Sequence, residues 1–183
     1  KDADVVILML PNGEISKSVA FDILKVMQKG SVLIDCSTID VASAKKINQI
    51  ADENLIHFLD APVSGGVVGA NSGSLTFMVG GKEDIYIKIA HLFNIMGQKS
   101  VFCGAAGNGQ SAKICNNMIL GVTMIATCEA FSLADNLGLD RQAMYDVVST
   151  SSGSSWSMNT YCPAKGIGPQ SPSDNDYVPG FAS

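Results

Sequence analysis

The sequence predicts an α/β region built on a mainly parallel sheet, followed by an all-α region. Short apolar runs alternate with helical segments of about a dozen residues in the first part, which indicates right-handed β-α-β units. One uninterrupted helical period then covers residues 109–137, about 43 Å at 1.5 Å per residue. Only helical patterns and loops follow it, so the change of class is expected near residue 105.

The predicted strands are short apolar runs, each followed by a polar or glycine-containing segment. They cover residues 5–10, 31–35, 56–60, 75–79 and 100–103. The first run, VVILML, has no polar residue, which is typical of a strand buried on both faces in a parallel sheet.

The predicted helices repeat apolar residues every three or four positions. They cover residues 15–27, 41–54, 82–96, 109–137 and 141–148. Lys29 and Gly30 end the first of them, as a basic last turn and a glycine do at many helix C-termini. After Ser149 the chain is rich in Ser, Gly and Pro, which predicts a loop in which Trp156 packs against another element or subunit.

Two domains are expected, an α/β portion over residues 1–105 and a helical portion over residues 106–183. Because the chain begins at Lys1 rather than at Met, both are interpreted as portions of a longer protein.

Composition disfavours several function classes. The net charge of −5, with no basic cluster larger than Lys45-Lys46, argues against nucleic-acid binding. The most apolar run, residues 118–128, is too short to span a bilayer. Five scattered cysteines and two histidines lack metal-ligand spacing and indicate reduced thiols without a metal site.

Candidate binding residues follow three predicted strands, because ligands of open α/β sheets bind beyond the carboxyl ends of strands. These ends carry Leu10-Pro11, the segment around Thr38, and residues 60–66, DAPVSGG. In the last, Ser64, Gly65 and Gly66 offer a hydroxyl and backbone N–H groups that could hold a small carboxylate. The alternative is that the glycines only form tight turns.

Lys113 is the candidate for acid–base chemistry. It lies near the start of the long apolar helix, and Asn117 follows four residues later on the same face. Burial lowers the pKa of a lysine amine toward the range useful for proton transfer. The alternative is a surface lysine whose aliphatic stem covers apolar neighbours.

Residues 107–112, GNGQSA, fit the letters of a dinucleotide-binding fingerprint. The helix that follows is too long, however, and no strand ending in an acid appears about 20 residues later. A tight turn leading into the long helix is therefore predicted instead.

These segments together resemble the β-hydroxyacid dehydrogenase family. The resemblance rests on MLP at 9–11, LID at 33–35, STID at 37–40, DAPVSGG at 60–66, LTFMVGG at 75–81, and the spaced Lys113 and Asn117. Trp156, Tyr161 and the Gly180-Phe181 pair look most like its hydroxyisobutyrate branch.

The resemblance implies a Rossmann-type NAD(P)-binding domain, a long interdomain helix and a helical substrate and dimerisation domain. It makes Lys113 the catalytic acid/base and Asn117 a substrate-orienting residue. It assigns the substrate carboxylate to Ser64, Gly65 and Gly66. It further assigns the cofactor to Leu10, Pro11 and Thr38, and the walls of the substrate pocket to Trp156 and Tyr161. The family's glycine-rich cofactor fingerprint has no counterpart in this chain.

The activity implied is hydride transfer between NAD, or NADP, and a small 3-hydroxy acid, with 3-hydroxyisobutyrate of valine catabolism as the first candidate. Tartronate semialdehyde, succinic semialdehyde and serine are the alternatives within the family, and a non-catalytic interaction module is the alternative outside it. A homo-oligomer (dimer or tetramer) is expected in the full-length form. The compartment would be the cytoplasm in a bacterium or the mitochondrial matrix in a eukaryote.

Overall fold

A computed structural model describes residues 2–178, and within them the chain forms two compact units. The first unit ends at Ile114 and the second begins at Cys115. The predicted boundary near residue 105 stays a prediction. The strands and helices of the first unit are β1 (Val5–Leu8), α1 (Gly13–Leu24), β2 (Val32–Asp35), α2 (Val41–Glu53), β3 (His57–Asp60), β4 (Val63–Ser64), α3 (Gly66–Asn71), β5 (Leu75–Gly81), α4 (Glu83–Met96) and β6 (Gly97–Gly104).

The six strands form one sheet in the order β1-β2-β3-β5-β4, with β6 paired to β5. The pairs β1–β2, β2–β3 and β5–β6 are parallel, while β5 runs antiparallel to β3 and β4. Leu8, Asp35 and Asp60 are register partners, so β1, β2 and β3 end side by side. The prediction of a parallel-dominated sheet with helices is confirmed, and the three candidate loops leave the same edge.

Two elements were not predicted, β4 and α3, which lie in the segment interpreted as a glycine-rich turn. β4 has two residues, Val63 and Ser64, which pair with Phe77 and Thr76. α3 has six residues, and its sequence, GVVGAN, is too short and too rich in glycine for a helical period to be visible. Pairing with β5 defines β4.

Two apolar clusters cover the two faces of the sheet. On β2, Leu33 packs into the cluster formed with α1 and α2, while Ile34 packs into the cluster formed with α4. Side chains alternate in this way along β2, which is covered on both faces. The same prediction for the first apolar run is wrong, because β1 is at the edge of the described sheet and Ile7 is 42% exposed. Ile47 of α2 and Phe93 of α4 are fully buried at the centres of these clusters.

The long helix α5 runs from Asn108 to Leu137, one residue longer than predicted. By length and composition alone it could cross a membrane, with a mean hydropathy of 1.4 over an 18-residue window of which 17% is buried. The core helix of a soluble protein passes the same test, so this is weak evidence. The predicted run of residues 118–128 is thus part of a longer apolar helix.

Beyond α5, the second unit contains α6 (Arg141–Val148), α7 (Trp156–Asn159) and a short 3-10 helix (Pro172–Asn175). Its core is a cluster that includes Phe131, Met144 and Met158. The segment after Ser149 is mostly loop, as expected, but Ser155 caps a single turn of helix that begins at Trp156. The Gly180-Phe181 pair lies outside the described residues.

Candidate active site

The loops after β1 and β2 are tied together by Ser37. Its hydroxyl oxygen accepts a hydrogen bond from the backbone N–H of Leu10 at 2.8 Å. Pro11 and Thr38, which follow in the two loops, are exposed, and Leu10 is half-buried. The two loops therefore present apolar surface and an exposed hydroxyl at this edge of the sheet, and their role in holding the cofactor stays a prediction.

A buried polar cluster at the end of β2 supports these loops. The Asp35 carboxylate accepts hydrogen bonds from the Ser16 hydroxyl at 2.8 Å and from the Ser37 backbone N–H at 2.9 Å. All three residues are fully shielded from solvent. Since a buried carboxylate is costly unless it is hydrogen-bonded, this arrangement fixes the end of β2 against α1.

Asp60, at the end of β3, caps the N-terminus of α5. Its carboxylate accepts hydrogen bonds from the backbone N–H groups of Gly107 at 2.7 Å and Gln110 at 2.9 Å. Burial raises the pKa of Asp60, and these N–H groups oppose that rise. Gly107 has a φ of +90°, which glycine adopts readily.

The Asp60 cap bears on whether residues 107–112 form a dinucleotide-binding fingerprint or a tight turn. A carboxylate already occupies the N–H groups that a pyrophosphate would need, so the segment is a tight turn leading into α5. The predicted turn before α5 is present, and the absence of a dinucleotide site there stays a prediction.

Lys113 lies in the first turns of α5 and is half-buried. No carboxylate of the described residues lies within ion-pair distance of its amine. Burial without a compensating charge lowers the pKa of Lys113. Chemically, such an amine suits proton transfer, although its catalytic role stays a prediction.

Ser64, Gly65 and Gly66 form the junction between β4 and α3. Gly65 has a φ of +130° and Gly66 a φ of +61°, so both need the conformational freedom of glycine. The Ser64 hydroxyl is half-buried and makes no hydrogen bond to any other described residue. The junction therefore leaves the Ser64 hydroxyl without a partner among the described residues, and its role in binding a carboxylate stays a prediction.

In the second unit, the candidate residues are Asn117, Trp156 and Tyr161. Asn117 is exposed on α5 and accepts a hydrogen bond from the Asn116 amide at 3.3 Å. The rings of Trp156 and Tyr161 stack, with centroids 4.8 Å apart and planes at 20°. Trp156 keeps 49% of its surface exposed, so the stacked pair presents an aromatic face.

Ser16 and Gln110 of the supporting cluster were given no role from the sequence, whereas Asp35 and Ser37 were noted at the end of the second predicted strand. Asp35 and Asp60 gave a signal in the sequence, since each directly follows a pair of buried apolar residues at the end of its strand. Nothing in the sequence marked Gln110, because its partners Ser37 and Ile39 lie more than seventy positions away in the chain.

Comparison with known proteins gives two matching family models. Residues 1–104 match the NAD-binding domain of 6-phosphogluconate dehydrogenase, and residues 107–183 match the NAD-binding domain of NADP-dependent 3-hydroxyisobutyrate dehydrogenase. A probable 3-hydroxyisobutyrate dehydrogenase of Mycobacterium bovis is 45% identical over 182 residues, which are 100% of this chain and 62% of that protein. The human mitochondrial 3-hydroxyisobutyrate dehydrogenase is 48% identical over 99% of this chain and 55% of its own length.

Among solved structures, 3-hydroxyisobutyrate dehydrogenase from Mycobacterium tuberculosis with L-serine superposes with a TM-score of 0.93 at 46% identity. The superposition covers 98% of this chain and 62% of that one, so the chain spans less than two thirds of these relatives. These matches show that the chain belongs to the β-hydroxyacid dehydrogenase family and that residues 1–104 carry the NAD-binding domain described for 6-phosphogluconate dehydrogenase.

Proposed function

We propose that the full-length protein transfers hydride between NAD(P) and a small 3-hydroxy acid, with 3-hydroxyisobutyrate and methylmalonate semialdehyde as the substrate pair. The observation that carries this proposal is the half-buried, unpaired Lys113, whose pKa is lowered by burial. It follows Gln110 by three residues in a helix whose start is fixed to the end of β3 by Asp60.

Leu10, Pro11 and Thr38 would hold the nicotinamide end of the cofactor. They follow β1 and β2, whose ends are register partners in the sheet. Nicotinamide cofactors bind at this edge in doubly wound α/β folds. These loops do not distinguish NAD from NADP. The residue that recognises the ribose 2′-hydroxyl or 2′-phosphate lies in the segment after the glycine-rich cofactor fingerprint.

Ser64, Gly65 and Gly66 would bind the substrate carboxylate through the Ser64 hydroxyl and the backbone N–H groups. Asn117 would orient the substrate from the next turn of the helix that carries Lys113. The aromatic face of Trp156 and Tyr161 would wall the apolar side of the substrate.

In the oxidation direction, neutral Lys113 accepts the proton of the substrate hydroxyl at its Nζ atom. NAD(P), when held at Leu10, Pro11 and Thr38, would supply the hydride acceptor for the carbon that bears this hydroxyl group and becomes a carbonyl. In the reverse direction, the Lys113 ammonium returns its proton to the forming alkoxide. Proton transfer by a positioned side chain contributes about 10²–10⁴-fold to the rate.

The names of the relatives support a 3-hydroxy acid. The Mycobacterium tuberculosis relative was solved with L-serine, which carries a hydroxymethyl group and a carboxylate on one carbon. 3-Hydroxyisobutyrate has the same arrangement, with a methyl group in place of the ammonium. Tartronate semialdehyde, succinic semialdehyde and serine remain the alternative substrates, and a panel of all four at fixed cofactor concentration separates them.

Replacement of Lys113 tests the proposed acid–base step. In the full-length protein, Lys113→Ala is expected to lower kcat by at least about a hundredfold because the proton acceptor is lost, while NAD binding stays intact. Steady-state kinetics and calorimetric NAD titration measure the two effects, with exposed Lys88→Ala as the control. Turnover within about tenfold of the wild type would remove Lys113 from this role.

Replacement of Ser64 tests the carboxylate site. Ser64→Ala is expected to raise KM for the hydroxy acid by about five- to thirtyfold through loss of one hydrogen bond to a charged group, with a smaller effect on kcat. Initial rates over a range of substrate concentrations give both constants. Exposed Ser132→Ala on α5 is the matched control, and an unchanged KM in Ser64→Ala would contradict the assignment.

The full-length protein would act as a homo-oligomer, a dimer or a tetramer. The support is a set of exposed apolar residues on α5, namely Met118, Ile119, Val122 and Ile125. Sedimentation of Ile119→Glu is expected to show a smaller assembly than the wild type. Binding of the wild type to lipid vesicles without self-association would instead favour a membrane contact, and a partner-dependent assembly without turnover would favour an interaction module.

The compartment would be the cytoplasm in a bacterial source and the mitochondrial matrix in a eukaryotic one. The support is the mitochondrial human relative, the mycobacterial relatives, and five cysteines that are all unpaired. Fractionation of cells expressing the full-length protein would test it, since recovery outside these compartments contradicts the assignment.

A further inference from the structure

Gln110 is a fully buried amide at the start of α5 with partners in a distant loop. Its Oε1 atom accepts a hydrogen bond from the backbone N–H of Ile39 at 3.0 Å. Its Nε2 atom donates to the backbone carbonyl of Ser37 at 2.8 Å. Reversal of the amide would set donor against donor and acceptor against acceptor, so the two bonds fix its orientation.

The residue bracketed by these two bonds is Thr38. The carbonyl of Ser37 belongs to the peptide group before Thr38, and the N–H of Ile39 belongs to the peptide group after it. One side chain therefore holds both peptide groups that flank Thr38. Ser37 is held further by Asp35 and by Leu10, so the loop is fixed from both sides.

The backbone of Gln110 is bonded to the end of β3 and not to the loop around Thr38. Its N–H donates to Asp60, which also accepts from Gly107, so residue 110 is fixed to the end of β3. Lys113 follows three residues later, a rise of about 4.5 Å along the helix. Gln110 thus stands between the loop around Thr38 and the turn that carries Lys113.

We propose that Gln110 is a positioning residue that keeps the cofactor-lining loop at Thr38 in fixed register with the helical turn that carries Lys113. This inference rests on the proposed function, in which Lys113 and the cofactor act on one alcohol group of the substrate. Lys113 acts on its hydroxyl, and the cofactor acts on the carbon that bears this hydroxyl. Misplacement of reacting groups by about 1 Å can cost a hundredfold in rate, so a rigid link between these two elements has catalytic value.

The competing explanation is that Gln110 only satisfies buried polar groups and stabilises the fold. The two explanations differ in cofactor affinity and in the balance between kcat and KM. A purely structural residue changes the free energy of unfolding and leaves the constants of the folded enzyme intact. A positioning residue weakens cofactor binding and lowers kcat while the hydroxy-acid KM changes little.

The experiment uses the full-length protein with Gln110→Met, which keeps the length of the side chain and removes both hydrogen bonds. We expect the Kd for NAD to rise by at least about fivefold, kcat to fall by at least about tenfold, and KM for the hydroxy acid to change by less than about threefold. Gln110→Glu keeps the acceptor for Ile39 but sets a carboxyl oxygen against the Ser37 carbonyl. The same direction of change is expected for it.

Two controls separate positioning from stability. Gln142→Met makes the same chemical change at an exposed glutamine of α6 and should leave all constants unchanged. Ile47→Ala removes core packing in α2 and should lower the melting temperature without changing the NAD Kd at a temperature where the protein is folded. Unchanged NAD Kd and kcat in a folded Gln110 variant overturns the proposal, as does failure of both Gln110 variants to fold.

Direct titration of NAD keeps this test distinct from the test of the proposed function. A wild type that binds NAD but oxidises no hydroxy acid refutes the proposed function, while the effect of Gln110 on NAD affinity is still measured. A wild type with normal turnover and an unaffected Gln110→Met variant refutes the positioning role alone.

Discussion

At the scale of single residues, the chemistry centres on the environment of Lys113. Its amine is half-buried in the described structure and has no carboxylate partner there, so the charged form loses hydration without compensation. The same loss that suits the amine for proton transfer reduces the stability of the folded protein at neutral pH. Activity and stability are therefore expected to oppose each other at this position.

Lys113→Met tests that opposition. The folded pKa lies below the unfolded value of about 10.4, so the folded state binds fewer protons between the two values and wild-type stability rises with pH there. Methionine removes the charge and keeps the stem. The variant is expected to melt at a higher temperature than the wild type at pH 7, with the difference shrinking as the pH approaches 10.

Thermal unfolding followed by circular dichroism at several pH values measures this difference. Lys88→Met, at an exposed position of α4, is the matched control for the loss of one surface amine. A lower melting temperature for Lys113→Met at pH 7 would show that the aliphatic stem and amine contribute more than the lost hydration costs.

At the scale of secondary-structure elements, the site depends on how helices begin at the edge of the sheet. α2 begins with Asp40 in the same loop as Thr38, and the Asp40 carboxylate accepts hydrogen bonds from the backbone N–H and the hydroxyl of Ser43. These bonds lower the pKa of Asp40. The cap therefore fixes where the loop ends and the helix begins.

Asp40→Ala is expected to lower the free energy of unfolding by about 1 kcal/mol at pH 7. Because the folded pKa is lowered, the contribution of Asp40 is present above about pH 4 and is lost as the pH falls through the folded pKa. Urea unfolding at pH 7 and pH 3 should show a smaller acid-induced loss in the variant. Asp22→Ala, an exposed partner of Lys25 on α1, should change stability by less than 0.5 kcal/mol, about the value of a surface ion pair.

The elements themselves were predictable to different degrees. The bounds of α6 match the sequence prediction, and α5 differs by one residue, since long apolar periods and flanking Asp140 and Gly138 mark them clearly. β4 and α3 were missed because two and six residues are too few to show a period, and β4 also depends on pairing with β5. Of the site, the strand-end loops were visible in the sequence. The cap at Asp60 joins residues fifty positions apart and was not visible.

At the scale of the whole molecule, the N-termini of the longer helices in the described residues are either capped or acidic. The longer helices α1, α2, α5 and α6 are capped at their N-termini by the side chains of Asn12, Asp40, Asp60 and Asp140. The remaining long helix, α4, has Glu83 and Asp84 in its first turn, which repel an anion. None of these helices therefore offers the open N-terminus that usually binds a dinucleotide pyrophosphate.

Because these helix N-termini do not offer a pyrophosphate site, we expect the 183-residue chain to have a low affinity for the cofactor. In the proposed function, Leu10, Pro11 and Thr38 contact the nicotinamide end only, so the chain alone is expected to bind NAD at least about tenfold more weakly than the full-length protein, equivalent to about 1.4 kcal/mol. Calorimetric titration of both proteins under the same conditions measures the difference, and circular dichroism verifies that each is folded. Equal affinities would mean that the pyrophosphate binds within residues 2–178 without a helix N-terminus. Nicotinamide mononucleotide is the matched control, because it lacks the adenylate half and should lose much less affinity between the two proteins.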